Sequence, residues 1–308
     1  MKLYVLLCFL FLSTACVAQK EVAFTLDDVP NAGLYKQDGF RSRLLEKIDA
    51  LALPVAIFSN EANLYNTAFA AENFKGLEKW ILDKNITAGN HSFNHIGYTA
   101  SGAAAFEESV LKGEVITANV LKRQGKTLKY FRFPFNDMGP DSAAHHHMRA
   151  FLENKGYTLT PFTIENSDWA YSALYEDALQ HNDKAKAQQI GSTYVSTTLA
   201  LFDYFETLCQ QRFGRPIKHI YLCHDNALNT DYLQALVDGL RKKGYTFITL
   251  DKALQDDVYK QPEYYFGSAG FSWIYRWEAD PEKRKALLRA EPENEEMVKA
   301  YEALQKKK

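Results

Sequence analysis

The sequence predicts an α/β fold in which a parallel sheet closes, or nearly closes, into a barrel. Three observations lead to this prediction. Apolar runs rich in β-branched and aromatic residues recur about seven times along the chain. Amphipathic stretches with a helical period lie between most of these runs. The length of 308 residues is sufficient for one large α/β domain. Repeated strand–helix alternation favours parallel strands joined by crossover helices.

The predicted strands are short apolar runs bounded by turns or by helical patterns. They are Val22–Leu26, Val55–Ser59, Ile86–Gly89, Tyr130–Phe133, Tyr157–Ile164, His219–Cys223 and Tyr245–Leu250. The fifth run contains Pro161, which has no backbone N–H for a strand ladder. That residue weakens the prediction of a strand at this position.

The predicted helices combine apolar and charged residues at helical spacing. Three such stretches read FRSRLLEKIDAL, FKGLEKWILDKN and TDYLQALVDGLRKKG, and the last ends in Lys-Lys-Gly, a helix stop signal. A longer helical region covers residues 182–213. The tail from Glu278 onward is charged and helical in pattern, which predicts a pair of solvated surface helices.

Residues 1–18 have the pattern of a secretory signal peptide. Lys2 precedes the apolar stretch Leu3–Leu12, and small residues follow up to Ala18. The apolar stretch is too short for a membrane span, so we expect no transmembrane span in the mature chain. We therefore expect export to the periplasm or the extracellular space. Lipid anchoring at Cys16 is the alternative, although the leucine of LSTAC lies one place further from the cysteine than in the usual lipoprotein signal.

The composition gives no reason to expect a nucleic-acid partner, and it leaves open whether the cysteines form a disulfide. The formal net charge of −2 gives no indication of a nucleic-acid partner. Only Cys209 and Cys223 remain after the predicted cleavage, and export would permit a disulfide between them. Cys223 lies in the apolar run HIYLCHD, which favours a buried free thiol.

Polar and ionisable side chains accompany five of the predicted strands. In parallel α/β barrels the chemistry lies at the carboxyl ends of the strands. In this chain those positions hold Asp27 and Asp28, then His91 and His95, then Arg132, then Asp168 and Trp169, and finally His224. Core packing does not require this arrangement, so it indicates a functional site.

A metal ion would explain why Asp27 and Asp28 stand together at the end of a buried strand. Adjacent carboxylates cost free energy when they are desolvated without a positive partner. His91 and His95 are four residues apart, a spacing that places both imidazoles on one face of a helical turn. Two imidazoles and one carboxylate, with an open position for water, are typical of catalytic zinc. The same ligands also suit Fe(II) oxygenases, but the strand–helix alternation differs from the double-sheet fold of those enzymes.

Five motifs of this chain resemble those of the polysaccharide deacetylases, the NodB-homology group of carbohydrate esterase family 4. They are TLDD, HSFNH, RFPF, SDW and LCHD, they occur in the family's order, and the resemblance runs from about residue 22 to about residue 254. It implies a distorted (β/α)7-type barrel with parallel strands. It also implies a catalytic domain over residues 19–277, followed by the charged helical tail, residues 278–308.

The resemblance further implies one divalent metal ion, most often zinc and sometimes cobalt or another ion. Asp28, His91 and His95 would bind that ion. Asp27 would be the general base, and Arg132 would orient this carboxylate and keep it ionised.

His224 would be the general acid in the same scheme, and Asp168 would keep its imidazole protonated. Phe135, Trp169 and Leu222 would line the substrate's acetyl pocket, with a backbone N–H near Phe135 helping to hold the oxyanion. From the residues alone, capping a turn remains the alternative for Asp168, and core packing remains the alternative for Trp169.

The resulting prediction is a metal-dependent hydrolase that removes acetyl groups, mainly N-linked, from a sugar polymer. An O-acetyl esterase on xylan-like polymers, a hydrolase of a non-sugar amide and a non-catalytic sugar-binding protein remain alternatives. The chain departs from the family pattern at Val29-Pro30 and at Asn136-Asp137. The tract His145–His147 lies in a helical pattern, where successive side chains diverge, and is predicted to be a surface tract.

Overall fold

A computed structural model describes residues 19–65 and 68–306 of the chain. The predicted signal peptide, residues 1–18, and the alternative lipid anchor at Cys16 lie outside the described residues and stay predictions. Within the described residues, no helix combines the length and the apolar character that a membrane crossing needs.

A parallel sheet forms the centre of the described chain. Its strands are β1 (Lys20–Asp27), β2 (Val55–Ser59), β3 (Ile86–Asn90), β4 (Tyr130–Phe131), β5 (Thr158–Leu159), β6 (Ile164–Glu165), β7 (Lys218–His224) and β8 (Tyr245–Phe247). Their order is β5-β4-β3-β2-β1-β7-β6, and β8 pairs with the first residues of β1. Each of these pairings is parallel. The predicted distorted barrel with parallel strands is confirmed.

The fifth predicted strand is wrong as a single element, because it is divided into β5 and β6 at opposite edges of the sheet. The chain between them is bonded to both edges. Thr160 donates its N–H to the carbonyl of Phe131, and Thr163 donates to that of Ile220. Pro161 lies between these two donors, where no ladder hydrogen bond is made. This connection spans the gap between the two edges and accounts for the distortion of the barrel.

Helices surround the sheet in the described chain. They are α1 (Ala32–Gln37), α2 (Arg43–Ala50), α3 (Ala70–Leu82), α4 (Tyr98–Ser101), α5 (Ala103–Lys112), α6 (Val115–Arg123), α7 (Ser142–Asn154), α8 (Asp168–Gln180), α9 (Lys184–Phe213), α10 (Ala227–Lys242), α11 (Leu250–Ala253), α12 (Trp273–Arg276), α13 (Pro281–Ala290) and α14 (Glu295–Gln305). Short 3₁₀ turns cover Glu61–Leu64, Pro134–Asn136 and Asp257–Lys260. The helices predicted from periodicity correspond to α2, α3, α9 and α10.

The core lies between the sheet and the apolar faces of these helices. Strand β1 is buried from Val22 to Asp27, as expected for a central parallel strand covered on both sides. Helix α2 buries Leu44, Leu45 and Ile48, which follow the helical period. Cys209 and Cys223 are both buried and free. The carboxyl end of β1 is therefore held within a close-packed core.

The C-terminal tail forms two helices, as the charge pattern predicts, but it is not simply solvated. Helix α13 has no buried residue, whereas α14 buries Met297 and packs against α8. The ring of Tyr301 meets the ring of Trp169 edge-on, with 5.2 Å between centroids. The tail therefore covers the surface beside Trp169.

Candidate active site

Asp28, His91 and His95 converge at the carboxyl ends of β1 and β3. Oδ1 of Asp28 lies 3.8 Å from Nε2 of His91 and 3.5 Å from Nε2 of His95. One ligand atom from each of the three residues lies within 4.8 Å of the other two. The sequence prediction that these residues meet is thus correct in space.

These three side chains fit a divalent metal ion. Oδ1 of Asp28 is buried and makes no hydrogen bond among the described residues. Tetrahedral zinc with bonds of about 2.0–2.1 Å requires ligand atoms roughly 3.3 Å apart, close to the two distances above. An orphaned carboxylate oxygen facing two imidazole nitrogens costs free energy unless a cation is bound there. Imidazole and carboxylate ligands suit zinc, cobalt and other divalent ions alike.

The two imidazoles are prepared for this role by their surroundings. Nδ1 of His91 hydrogen-bonds to the backbone carbonyl of Arg132 at 2.8 Å, which fixes the tautomer that leaves Nε2 free. Burial and the neighbouring His91 lower the pKa of His95, despite the nearby carboxylates. A lowered pKa favours the neutral imidazole that binds metal.

The local reason for this convergence differs from the prediction. Residues 91–95 form an irregular loop, not a helical turn, and Ser92 and His95 both have positive φ angles of 63° and 53°. The side-chain amide of Asn60 holds the loop by donating to the carbonyl oxygens of His91 and Ser92. The two imidazoles are therefore brought together by a loop that Asn60 holds in place, and not by a helical turn.

Asp27 faces a different partner from Asp28. Its Oδ1 accepts a hydrogen bond from Nη1 of Arg132 at 2.8 Å, and both side chains are buried. Burial alone would raise the pKa of Asp27, but Arg132 and then His91 and His224 outweigh it, and the pKa is lowered. Arg132 also donates to Oγ1 of Thr25 and stacks over the ring of Phe58. Each aspartate thus has its own positive neighbourhood, Arg132 for Asp27 and the candidate metal position for Asp28.

His224 and Asp168 form a second buried pair across the same end of the barrel. Nδ1 of His224 lies 2.7 Å from Oδ1 of Asp168, and the side chain of Asp168 is fully buried. Burial lowers the pKa of His224, but Asp168 more than compensates and raises it to about 10. Asn226 and Asn229 donate side-chain N–H groups to Oδ2 of Asp168 and fix its orientation.

Of these groups, Asp28, His95 and His224 line one cavity of about 500 Å³. Its lining comprises Asp28, Asn31, Ala32, Gly33, Asn63, His95, Trp169, His224 and Asp225. Asn31 and Asp225 were not singled out as site residues from the sequence. The backbone N–H of Asn31 donates to Oδ2 of Asp225 at 2.8 Å, which joins the segment after β1 to the segment after β7. Burial raises the pKa of Asp225 to about 6.

The predicted acetyl-pocket residues are placed differently from one another. Phe135 is 62% exposed, and its ring centroid lies 4.4 Å from that of His95. Trp169 is 48% exposed and lines the cavity. Leu222 is 3% exposed within β7 and is not part of the cavity lining, so its predicted contact with substrate stays a prediction.

The histidine tract His145–His147 is partly misjudged by the sequence prediction. His146 and His147 are exposed, and His147 pairs with Glu107. His145 is buried, and its Nε2 bonds to the carbonyls of Gly139 and Gly267. It therefore joins two loops as a structural residue.

No protein-family model matches this chain, and no curated protein matches it. Solved structures do resemble it. The polysaccharide deacetylase Bc1974 from Bacillus cereus superposes with a TM-score of 0.51 at 20% identity, over 75% of this chain and 92% of that chain. BA3943 from Bacillus anthracis, described as a CE4 family pseudoenzyme, gives a TM-score of 0.51 at 16% identity, over 77% of this chain and 66% of that chain. A BA3943 mutant described as having restored enzymatic activity gives a TM-score of 0.50 at 17% identity, over 77% of this chain and 68% of that chain.

These similarities show that the chain has the fold of the polysaccharide deacetylases. An enzyme and a pseudoenzyme share this fold, so the fold alone does not decide activity. The function must be argued from the side chains of the site.

Proposed function

We propose that this chain is a metal-dependent deacetylase of the polysaccharide deacetylase family, which hydrolyses N-linked acetyl groups of a sugar polymer. The observation that carries this proposal is that Asp28, His91 and His95 lie at the same end of the barrel as two groups whose pKa values are shifted in opposite directions. These are Asp27, whose pKa is lowered, and His224, whose pKa is raised to about 10. A base and an acid with pKa values driven apart are typical of a hydrolytic site.

Asp28, His91 and His95 would hold the ion, and zinc is the metal we favour among the divalent ions that suit these ligands. A divalent cation bound there supplies Lewis acidity toward the acetyl carbonyl and lowers the pKa of water toward roughly 7.

Asp27 would take the proton from the attacking water. Its Oδ1 is occupied by Arg132, while its Oδ2 lies 3.6 Å from Nε2 of His91 and so faces the metal-binding side. The Arg132 guanidinium keeps this carboxylate ionised, which a general base requires. A backbone N–H at Phe135 would donate to the oxyanion that develops on the acetyl carbonyl.

His224 would give a proton to the leaving nitrogen. Its Nδ1 is engaged by Asp168, which leaves Nε2 as the atom that donates. An amine leaves poorly without protonation, and an acid positioned at that point typically contributes about 10²–10⁴-fold. An alcohol leaves more readily, so a protonated His224 matters more for N-linked than for O-linked acetyl groups. Phe135 and Trp169, both exposed beside the site, would flank the sugar.

We also propose that the protein is exported and meets its acetylated carbohydrate outside the cytoplasm. This follows from the predicted signal in residues 1–18. The expectation that no nucleic acid is a partner rests on the near-neutral net charge of −2.

The test is acetate release from acetylated chitin oligomers, peptidoglycan and acetylated xylan. Each substrate is incubated with protein as purified, after thorough chelation, and after zinc is added back. The comparison includes Asp27→Asn and the matched control Asp49→Asn, a partly exposed carboxylate distant from the site. We expect release that is lost on chelation, restored by zinc and abolished only by Asp27→Asn. Release that survives chelation would contradict the metal requirement. No release from any of the polymers would shift the proposal to a non-sugar amide, and unaltered sugar binding without turnover would favour a binding protein.

A further inference from the structure

A second cavity, here called the tail cavity, lies beside the candidate active site. Its volume is about 400 Å³, and its walls come from the segment around β6 and α8, from α9 and from the C-terminal tail. Its lining includes Glu165, Trp169, Tyr171, Glu291, Met297 and Tyr301. The tail lies beyond the part of the sequence that resembles the family, so the SDW motif accounts for one wall of this cavity and the tail supplies another.

The tail cavity adjoins the candidate active site at Trp169. This side chain lines both cavities. Its ring meets that of Tyr301 at an interplanar angle of 83°, which forms an aromatic corner between α8 and α14. Trp169 remains 48% exposed, so its ring retains area for a ligand. Concave sites with aromatic walls and a few polar groups are typical of ligand pockets. The tail cavity is therefore placed to receive a sugar unit next to one held in the active site.

The polar groups of the tail cavity are acidic. Glu165 accepts a hydrogen bond from the backbone N–H of Ser167, and Glu291 accepts one from the hydroxyl of Tyr275. Across residues 19–65 and 68–306, no lysine or arginine forms an ion pair with either carboxylate. Burial raises the pKa of each of them to about 7. The nearby His224 opposes the effect of burial on Glu165. A positively charged ligand group would further stabilise the ionised form of these two partly buried carboxylates, whereas an anion would oppose it.

We propose that the tail cavity is a second subsite that binds a sugar unit with a free ammonium group, adjacent to the unit being deacetylated. This inference rests on the proposed function, because that reaction converts an acetamido group into an amine. The aromatic corner of Trp169 and Tyr301 would contact the sugar ring, and Glu165 and Glu291 would accept hydrogen bonds from the ammonium group. The enzyme would then favour partly deacetylated polymers over fully acetylated ones.

The experiment measures binding of a glucosamine trimer by calorimetry and, separately, acetate release from the shortest acetylated substrate that is turned over. The variants are Glu291→Gln, which keeps an acceptor for Tyr275, and Tyr301→Ala. Glu302→Gln, an exposed neighbour on α14, is the matched control. We expect Glu291→Gln to weaken trimer binding about tenfold, the loss of one charge-assisted contact, and Tyr301→Ala to weaken it as well. Release from the short substrate should stay within about twofold in every variant, and the control should bind like the original chain.

Three outcomes would overturn the inference. One is no measurable binding of the trimer, another is equal affinity for the trimer and for a neutral glucose trimer, and the third is binding that neither variant changes. Acetate release that persists in any of these cases would leave the proposed function standing. Conversely, Glu291-dependent binding in a protein that releases no acetate from any substrate would overturn the proposed function and support an ammonium-sugar site.

Discussion

Nδ1 of His224 lies 2.7 Å from Oδ1 of Asp168, and the other oxygen of that carboxylate accepts three further hydrogen bonds. These come from the backbone N–H of His224 and from the side chains of Asn226 and Asn229. Hydrogen bonds on both oxygens hold this carboxylate in one orientation. The imidazole therefore faces a fixed negative charge, and its pKa is raised to about 10.

The first prediction concerns the pH profile of Asp168→Asn. His224 acts in its protonated form, so activity should persist through neutral pH and decline as the pH rises through the raised pKa. With asparagine at position 168 the pKa should fall toward the ordinary value near 6.5, and the decline should begin at lower pH. We also expect kcat to fall about 10²-fold. The measurement is kcat/KM from pH 5 to 10.5.

Asp177→Asn is the matched control, since Asp177 lies on the same helix and its one ion pair within the described chain is with the exposed His181. Its pH profile should match that of the unmodified protein. A profile of Asp168→Asn with an unshifted alkaline decline would contradict the role assigned to this pair.

The second prediction concerns stability after Arg132→Met. This change leaves Asp27 buried without its positive partner, which typically costs about 3–5 kcal/mol of unfolding free energy. The pKa of Asp27 should then rise, because burial is no longer opposed by the guanidinium. The cost should therefore be greatest at neutral pH and shrink as acidification protonates Asp27. Urea unfolding at pH 5 and pH 7 measures both effects.

Arg123→Met provides the comparison, because Arg123 forms an exposed ion pair with Glu78 and should cost at most about 1 kcal/mol. Equal costs for the two arginines would contradict the buried pair as described.

The third prediction concerns the loop that holds His91 and His95. A methyl group at Gly113 would lie 2.5 Å from the carbonyl carbon of Ser92 and 2.6 Å from the backbone nitrogen of Phe93. Since backbone cannot yield like a flexible side chain, Gly113→Ala should displace this loop and weaken zinc binding at least about tenfold. Competition with a coloured chelator measures the affinity. Gly239→Ala, whose methyl meets only the end of the Leu199 side chain, should leave zinc affinity unchanged.

The fourth prediction separates Trp169 from Leu222. Trp169 is half exposed beside the site, so Trp169→Ala should raise KM for a sugar oligomer several-fold and destabilise the fold by roughly 1 kcal/mol. Leu222 is buried in β7, so Leu222→Ala should lower the unfolding free energy by about 2–5 kcal/mol. Steady-state kinetics and urea unfolding of both variants test this contrast. A stable Leu222→Ala protein with a raised KM would instead support the substrate contact predicted for Leu222.

Much of the sheet could be predicted because β1, β2 and β7 are long apolar runs whose local pattern needs no distant information. The division between β5 and β6 could not. The run from Tyr157 to Ile164 is rich in β-branched and aromatic residues throughout, and only Pro161 lacks a backbone N–H for a strand ladder. Where such a run breaks depends on how the two edges of the barrel meet, and this is a tertiary constraint.

The candidate site was largely predictable because its ionisable residues follow strand ends, where barrel geometry gathers them. The supporting amides were missed. Asn226 and Asn229 orient Asp168 through individual hydrogen bonds. Such contacts produce no periodic hydrophobic pattern that could be recognised in the sequence. The many charged residues of the tail predict solvated helices, and they obscure the apolar positions of α14. Met297 and Tyr301 stand four residues apart, which was the available signal for a packed face on α14.

The most direct test of the account is the zinc affinity of chelated protein, measured for the unmodified chain, Asp28→Ala and Asp27→Asn. We predict one equivalent bound by the unmodified chain and by Asp27→Asn. Asp28→Ala should bind at least about 100-fold more weakly, because loss of an outer hydrogen-bond partner alone costs about 10–100-fold. Undiminished zinc affinity in Asp28→Ala, or no bound equivalent in the unmodified chain, would contradict the proposal that Asp28, His91 and His95 hold the metal.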